Sequence, residues 1–161
     1  MKKKYSEKNE LCISISKKPG MFGTIIHNAG YEALGLNFFY KAFKTDHLEN
    51  AIKGVRALQI RGCSVSMPYK EKVIEYIDEL DLSAKQVKAV NTIVNVNGKL
   101  IGYNTDVVSL KKCLKKISKN KNQLIFLLGA GGMSRAVLVA LDYLKMKNIM
   151  IKNRTMSKGK K

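Results

Sequence analysis

Acidic residues are scarce in this chain, and cysteines are few and scattered. Twelve Asp and Glu stand against thirty Lys and Arg in 161 residues, a formal charge of +18. Cys12, Cys63 and Cys113 lie far apart, with no Cys-x-x-Cys pair and an odd total. That pattern argues against a zinc site and against a disulfide framework. No apolar run approaches the roughly 20 residues of a membrane span. The stretch behind the basic N-terminus, Leu11 to Ser16, is too short and too polar for a signal peptide. No internal repeat is present. These absences point to a reduced, cytoplasmic protein with no metal site. Its length allows one ordinary domain, or a small domain and a fragment.

A charge of this size can attract nucleic acid or an anionic membrane. The lysines come in short runs, however, and Asn and Ile are abundant too. Composition therefore favours a solvated, biased surface over a dedicated nucleic-acid patch. With 45% hydrophobic residues the chain can bury a core.

Leu11 to Ser16 alternates as a strand does, and Pro19-Gly20 ends it. Met21 to Leu34 reads as a helix and Leu36 to Phe43 as a second strand. Asp46 and Glu49 have the spacing of a capping box before Leu48, Ile52, Val55 and Leu58 at helical intervals. Gly62 to Ser66 is a third strand. Pro68 fits the first turn of a helix carrying Val73, Ile74 and Ile77. Asn97-Gly98 between two alternating runs predicts a hairpin. A helix starts near Thr105. Leu124 to Leu128 is an unbroken apolar run, as in a strand buried on both faces. A helix from Gly132 to Leu144 and a strand from Asn148 to Lys152 follow. Strands alternate with helices, so the class is α/β.

Three constellations carry chemistry. The first is Gly129-Ala130-Gly131-Gly132-Met133-Ser134, between a strand and a helix. Gly129 permits the tight turn, Gly131 lets the backbone approach a pyrophosphate, and the helix start offers free N–H groups. Ser134 replaces a third glycine, and a ligand-free corner would look the same. The second is Asn153-Arg154-Thr155 with Lys158, about 20 residues on, where an acid would mark NAD. Arg154 and Lys158 would instead attract a 2′-phosphate, which favours NADP. The third is Lys70 and Asp106, each beside a strand end and near a helix start. Such a pair can exchange a proton with a hydroxyl, but spacing alone equally fits a surface ion pair. Ser14, Ser16, Ser66, Asn91 and Thr92 are small polar residues on or beside apolar strands, and each alone is uninformative.

Taken together these motifs resemble the shikimate dehydrogenases, and most closely their shikimate-dehydrogenase-like subgroup. The resemblance runs from about Leu11 to Lys158. It rests on Ser14-Ile15-Ser16, His27-Asn28, Gly62 to Glu71, Ala89 to Thr92, Asn104-Thr105-Asp106, Gly129 to Ala136 and Asn153-Arg154-Thr155, in the family's order. It implies that Ser14 and Ser16 grip the shikimate carboxylate and that Ser66 and Asn91 contact ring hydroxyls. It also implies that Lys70 and Asp106 are the catalytic pair, and that NADPH reduces 3-dehydroshikimate to shikimate, a step of aromatic amino-acid biosynthesis. The chain departs from the family in a longer segment between Ser16 and His27 and in Ser64, which stands where asparagine is usual.

The expected organisation is a substrate-binding α/β domain over 1–104, a connecting helix and linker over 105–123, and an incomplete Rossmann-type NADP-binding domain over 124–161. The family's C-terminal part has no counterpart in these residues. Little dehydrogenase activity is therefore expected of them alone, and a complementing chain or an oligomer would complete the cofactor half. A non-catalytic remnant and a basic nucleic-acid-binding module are the other readings.

Overall fold

The computed structural model describes residues 9–117 and 120–154. In chain order the elements are β1 (Glu10–Ser16), α1 (Phe22–Ala33), β2 (Phe38–Lys44), α2 (Leu48–Ala57), β3 (Gly62–Val65), a 3₁₀ turn (Lys72–Tyr76) and β4 (Glu79–Leu80). They continue with α3 (Leu82–Val87), β5 (Thr92–Val96), β6 (Lys99–Tyr103), α4 (Thr105–Ile117), β7 (Ile125–Leu128), α5 (Gly132–Tyr143) and β8 (Ile149–Lys152). The class is α/β, as the alternation of strands and helices implies. The chain divides into two compact units. One is Met1–Asp81 with Val90–Tyr103, and the other is Leu82–Ala89 with Asn104–Lys161.

The first unit is built on a six-stranded sheet in the order β2-β1-β3-β5-β6-β4. β1 pairs in parallel with β2 and β3, and β5 is antiparallel to both β3 and β6. One face is apolar: Ile13, Ile15, Cys63, Val65, Ile93 and Leu100 are buried on it. Helix α2 buries Leu48, Ile52 and Val55 at helical spacing, which supplies the cover such a face requires. The exposed edge at β2 is closed by α1. The Asn28 carboxamide donates to the Tyr40 carbonyl and accepts from the Tyr40 amide, both at 2.8 Å, while Thr24 Oγ1 accepts from the Ala42 amide. These bonds occupy the groups through which an edge strand would recruit another chain. His27 stacks on Tyr40 with centroids 4.3 Å apart. The outer side of α1 stays open, with Phe22, Ile25 and Ile26 exposed.

The hairpin forms as Asn97-Gly98 predicts: both turn residues have positive φ, 53° and 88°. Asn95 ties it to α2. Its buried amide donates to the Val55 carbonyl at 3.1 Å, and its Oδ1 accepts from the Gly98 amide at 2.8 Å. Arg56 forks onto Asp78 at 2.7 and 3.1 Å and also donates to the Gly98 carbonyl.

Two local expectations are corrected. The Asp46/Glu49 box does not form: His47 is the N-cap of α2, and no side chain caps it. Thr45 Oγ1 bonds His47's own amide and carbonyl instead, and Glu49 pairs outward with Lys53 at 2.7 Å. Pro68 does not open an α-helix. The Met67–Pro68 bond is cis, and only the short 3₁₀ turn follows, with Val73 fully buried.

In the second unit α3, α4 and α5 pack together through Val87, Ala89, Val107 and Ala136, with Leu110 and Val139 against them. Asn104 is buried and serves as the cap of α4. Its Oδ1 accepts from the Val107 amide, its amide side chain donates to the Ala89 carbonyl, and its backbone N–H donates to Ser83 Oγ. β7 and β8 form a parallel pair. The unbroken apolar run suggests a strand buried on both faces, but Leu124, Phe126 and Leu128 are exposed at 68%, 53% and 71%. Among the described residues only β8 joins β7 in its sheet, so this row is uncovered.

Asn95→Ala should lower unfolding free energy by about 1–3 kcal/mol, because the Val55 carbonyl and Gly98 amide both lose a partner. A urea midpoint equal to wild type would show that water replaces the carboxamide. Asp78 gives a pH signature. The Arg56 guanidinium and the Leu100 amide hold its carboxyl below the usual carboxylate range. The depressed folded value means its stabilisation is complete above the unfolded value near about 4 and is lost as pH falls through the folded value. Stability should therefore drop more steeply below about pH 4 in wild type than in Asp78→Asn. Both partners are partly exposed, so added salt should shrink the difference. Parallel pH profiles would remove Asp78 from the acid response.

Candidate functional site

The polar face of the first unit's sheet carries a row of hydroxyls. Ser14 pairs with Ser64, Ser64 with Thr92, and Thr92 with Tyr103. Residues in register project to one face, so these four side chains stand side by side, opposite the apolar face beneath α2. All are half-buried. Ser16 lies two residues beyond Ser14 on the same face and is buried to 6% exposure.

The strand ends bring the other candidates to this edge. The Ser66 amide donates to the Ile15 carbonyl, and the Thr45 amide to the Ser16 carbonyl, both at 3.1 Å. The Asn91 carbonyl accepts from Val65 at 2.8 Å, and the Asn91 amide donates to Tyr103 at 3.0 Å. Its Oδ1 accepts from Thr92 Oγ1 at 3.0 Å. The Lys70 carbonyl accepts from the Val90 amide at 2.7 Å. Ser16, Ser66, Lys70 and Asn91 are thereby fixed at one end of one sheet.

Lys70 sits in the turn ahead of the 3₁₀ segment, half-buried, rather than inside a helix. Its neighbour Tyr69 was not singled out by sequence, yet it anchors that turn. Tyr69 is 6% exposed, and its hydroxyl donates to the Thr45 carbonyl at 2.7 Å. The signal available was an aromatic between a proline and the lysine. Asn104 opens the Asn-Thr-Asp motif, and Asn before a helix start is a capping signal that marks this role. Asp106 lies in the first turn of α4, in the second unit, half-buried.

The thiols of the first unit are held in the protonated form. Burial pushes Cys63 up to about 12, and burial also raises Cys12, so both stay protonated near neutrality. Among the described residues no group of His, Cys, Asp and Glu could hold a metal.

In the second unit the glycine-rich turn joins β7 to α5. Gly129 has φ +102°, a conformation that L side chains rarely adopt. Its amide donates to the Lys152 carbonyl at 2.8 Å, which sets the end of β8 beside the turn. Ser134 Oγ donates to the Gly129 carbonyl at 2.8 Å, so the serine in the third small position braces the turn internally. Gly131 caps α5 without a side-chain bond, and the first turn of α5 carries no acid. A Cβ at Gly131 or Gly132 would meet nothing within 4 Å. The helix start with Gly131, Gly132, Met133 and Ser134 is therefore open to an anion, and Ala130 lies within the turn. Asn153 and the exposed Arg154 follow β8 directly, beside this turn. Thr155 and Lys158 lie outside the described residues.

Residues 14–93 match the family described as shikimate dehydrogenase substrate binding domain. A shikimate dehydrogenase-like protein of Haemophilus influenzae is 48% identical over 150 residues, covering 93% of this chain and 55% of that protein. A solved shikimate 5-dehydrogenase-like structure superposes with a TM-score of 0.91 at 46% identity, over 96% of this chain and 58% of the other. Shikimate 5-dehydrogenase of Thermus thermophilus, solved with NADP(H) and shikimate, gives 0.81 at 30% identity over 93% and 57%. The chain thus spans about half the length of the relatives it matches.

The two glycines make a paired test. Gly129→Ala should destabilise the second unit by about 1 kcal/mol or more through its positive φ. Gly131→Ala, at φ −90° with open space around it, should leave stability within about 0.5 kcal/mol. Hydrogen exchange across 125–152 reads both, and equal protection in the two variants would show that the turn is not held by Gly129.

Proposed function

Because the chain belongs to the shikimate dehydrogenase family, we propose that it serves the NADP-dependent interconversion of 3-dehydroshikimate and shikimate. The observation that carries this reading is the convergence of Ser14, Ser16, Ser66, Asn91 and Lys70 on one edge of one sheet. A small acid bearing several hydroxyls needs such a set of neutral donors and acceptors beside one cation. Ser14 and Ser16 are assigned to the substrate carboxylate, and Ser66 and Asn91 to ring hydroxyls. Lys70 is assigned the proton transfer to the carbonyl oxygen during reduction, with Asp106 as its supporting carboxylate.

The second unit suits a dinucleotide. The bare start of α5 and the open space at Gly131 and Gly132 fit a pyrophosphate, and Arg154 at the end of β8 fits a 2′-phosphate. Asn153, Thr155 and Lys158 are assigned to the same adenosine end. When bound, the cofactor supplies the hydride. The uncovered row at Leu124, Phe126 and Leu128 fits a sheet completed by further strands, from a complementing chain or an oligomer. No described helix is long and apolar enough to cross a membrane, and a cytoplasmic setting fits the reading.

Shikimate titrated into the 161-residue protein should shift the amide resonances of Ser14, Ser16, Ser66 and Asn91 saturably, and Ser16→Ala should weaken that response. No saturable shift at millimolar shikimate would overturn the substrate assignment. Fused to the second half of the Haemophilus relative, the chain should turn over NADPH. There Lys70→Ala should lower kcat by about 10²–10⁴-fold with little change in KM. Arg154→Ala should cost about 1.5–3 kcal/mol of NADPH affinity and spare NADH. Equal losses for both cofactors would detach Arg154 from the 2′-phosphate.

A further inference from the structure

Tyr69 carries a hydroxyl that packing does not require. The residue is 6% exposed, and a phenyl ring would fill the same space. A buried hydroxyl costs desolvation unless it is bonded. This one donates to the Thr45 carbonyl at 2.7 Å, across 24 residues of chain and outside any strand ladder. The acceptor lies one residue past β2 and is held on every side. The Thr45 amide donates to the Ser16 carbonyl at 3.1 Å. Its Oγ1 accepts from the His47 amide at 3.1 Å and donates to the His47 carbonyl at 3.2 Å, at the N-cap of α2.

Thr45 therefore stands between two residues with assigned roles. One hydrogen bond joins it to Ser16, at the substrate carboxylate. Another joins it to Tyr69, whose next residue is Lys70. The backbone bonds of the lysine turn go elsewhere. The Tyr69 amide donates to the Ser66 carbonyl at 2.9 Å, the Val73 amide to the Tyr69 carbonyl at 2.9 Å, and the Val90 amide to the Lys70 carbonyl at 2.7 Å. None of these three reaches the segment after β2. The Tyr69 side chain makes that connection, and all four residues of the path lie in the first unit.

We propose that Tyr69 is a positioning residue whose hydroxyl, through Thr45, makes the placement of Lys70 depend on a carboxylate held at Ser16. The proposal rests on the dehydrogenase reading for the roles of Ser16 and Lys70 and adds the link between them. A carboxylate on Ser16 orders the end of β1. The Thr45 amide follows the Ser16 carbonyl, and the Tyr69 ring carries that order to the backbone of Lys70. Two hydrogen bonds in series make a contiguous physical path, and the coupling along it is reciprocal. An acid that fills the Ser16 grip thereby sets its own proton donor.

The test is trace acetylation of the full 161-residue protein, read at Lys70 by mass spectrometry, for wild type and Tyr69→Phe. Each is measured free and at saturating shikimate, with filling of the site followed at the Ser14 and Ser16 amide resonances. Shikimate should slow acetylation of Lys70 in wild type. In Tyr69→Phe that protection should shrink by about 2–10-fold, the worth of one hydrogen bond, with the site equally filled. A merely structural role would move the titration midpoint and leave protection at saturation unchanged, so equal protection in the two proteins would overturn the proposal. So would an equal rise in acetylation at Lys41 and Lys44, which would reduce the effect to general loosening. Where Tyr69→Phe does not fold, hydrogen exchange in wild type decides. Shikimate should slow exchange at both the Thr45 and the Val90 amides, and slowing at Thr45 alone would overturn the link. The absence of saturable shikimate binding by wild type would overturn the dehydrogenase reading itself, and with it the two roles that Tyr69 connects.

Discussion

The hydrogen bond from the Val90 amide to the Lys70 carbonyl attaches the candidate catalytic lysine to the sheet. No α-helix holds Lys70; the turn that bears it is suspended between strand ends. Val90 secures it to the start of β5, Ser66 to β1, and the Tyr69 hydroxyl to the end of β2. This works because the sheet is mixed. β1, β2 and β3 are parallel and end at one edge, and β5 runs the other way, so its beginning lies at that same edge. Residues as distant in sequence as Ser16, Ser66 and Asn91 meet there through backbone ladders, whose geometry does not depend on the polar side chains they present. The side chains are thus free to be chosen for a ligand, while Ile13, Ile15, Val65 and Ile93 on the opposite face carry the stability.

Much of this was legible in the sequence because each element had a local signature. The alternation of Leu11 to Ser16, the helical spacing of Ile52 and Val55, and the Asn-Gly turn are decided within a few residues, and β1, α2 and the hairpin follow them. The readings that depended on competition between partners did not hold. Asp46 and Glu49 have capping spacing, but Thr45 takes the His47 amide and Lys53 takes the Glu49 carboxylate. Pro68 satisfies the rule for a helix start, yet only a 3₁₀ turn follows it, with Val73 of that turn fully buried. Ser14 and Thr92 are uninformative one at a time, and Ser64 stands out only as a departure from the family. Their meaning lies in the register that aligns them, which is a non-local fact. The His27-Asn28 pair is similar. Its sequence gave no hint that Asn28 would serve the backbone of β2 as a surrogate strand.

The second unit poses opposite electrostatic demands at its two ends. α4 and α5 run in the same direction, so their dipoles add, positive at the starts and negative at the C-terminal ends. Asp106 in the first turn complements the start of α4, but the start of α5 carries neither an acid nor a capping side chain. That end calls for an anion from outside, as a dinucleotide would provide. At the other end, two helices present about half a charge each, and the effect fades within the last turn. Lys115 and Lys116 answer it at α4, whereas the last turn of α5 carries no base and Lys145 follows just after it. Lys112, Lys121 and Lys147 then stand outside those last turns, in a unit whose two acids are Asp106 and Asp142. Such an excess costs the folded unit self-repulsion and gains it nothing internally. The same unit therefore holds two anion-seeking ends with different origins, one made of backbone N–H groups and one of side-chain ammonium groups, and they differ in range as well as chemistry. The backbone end acts only on a ligand that enters hydrogen-bonding contact, whereas the ammonium end acts across roughly a Debye length of about 8 Å at physiological salt.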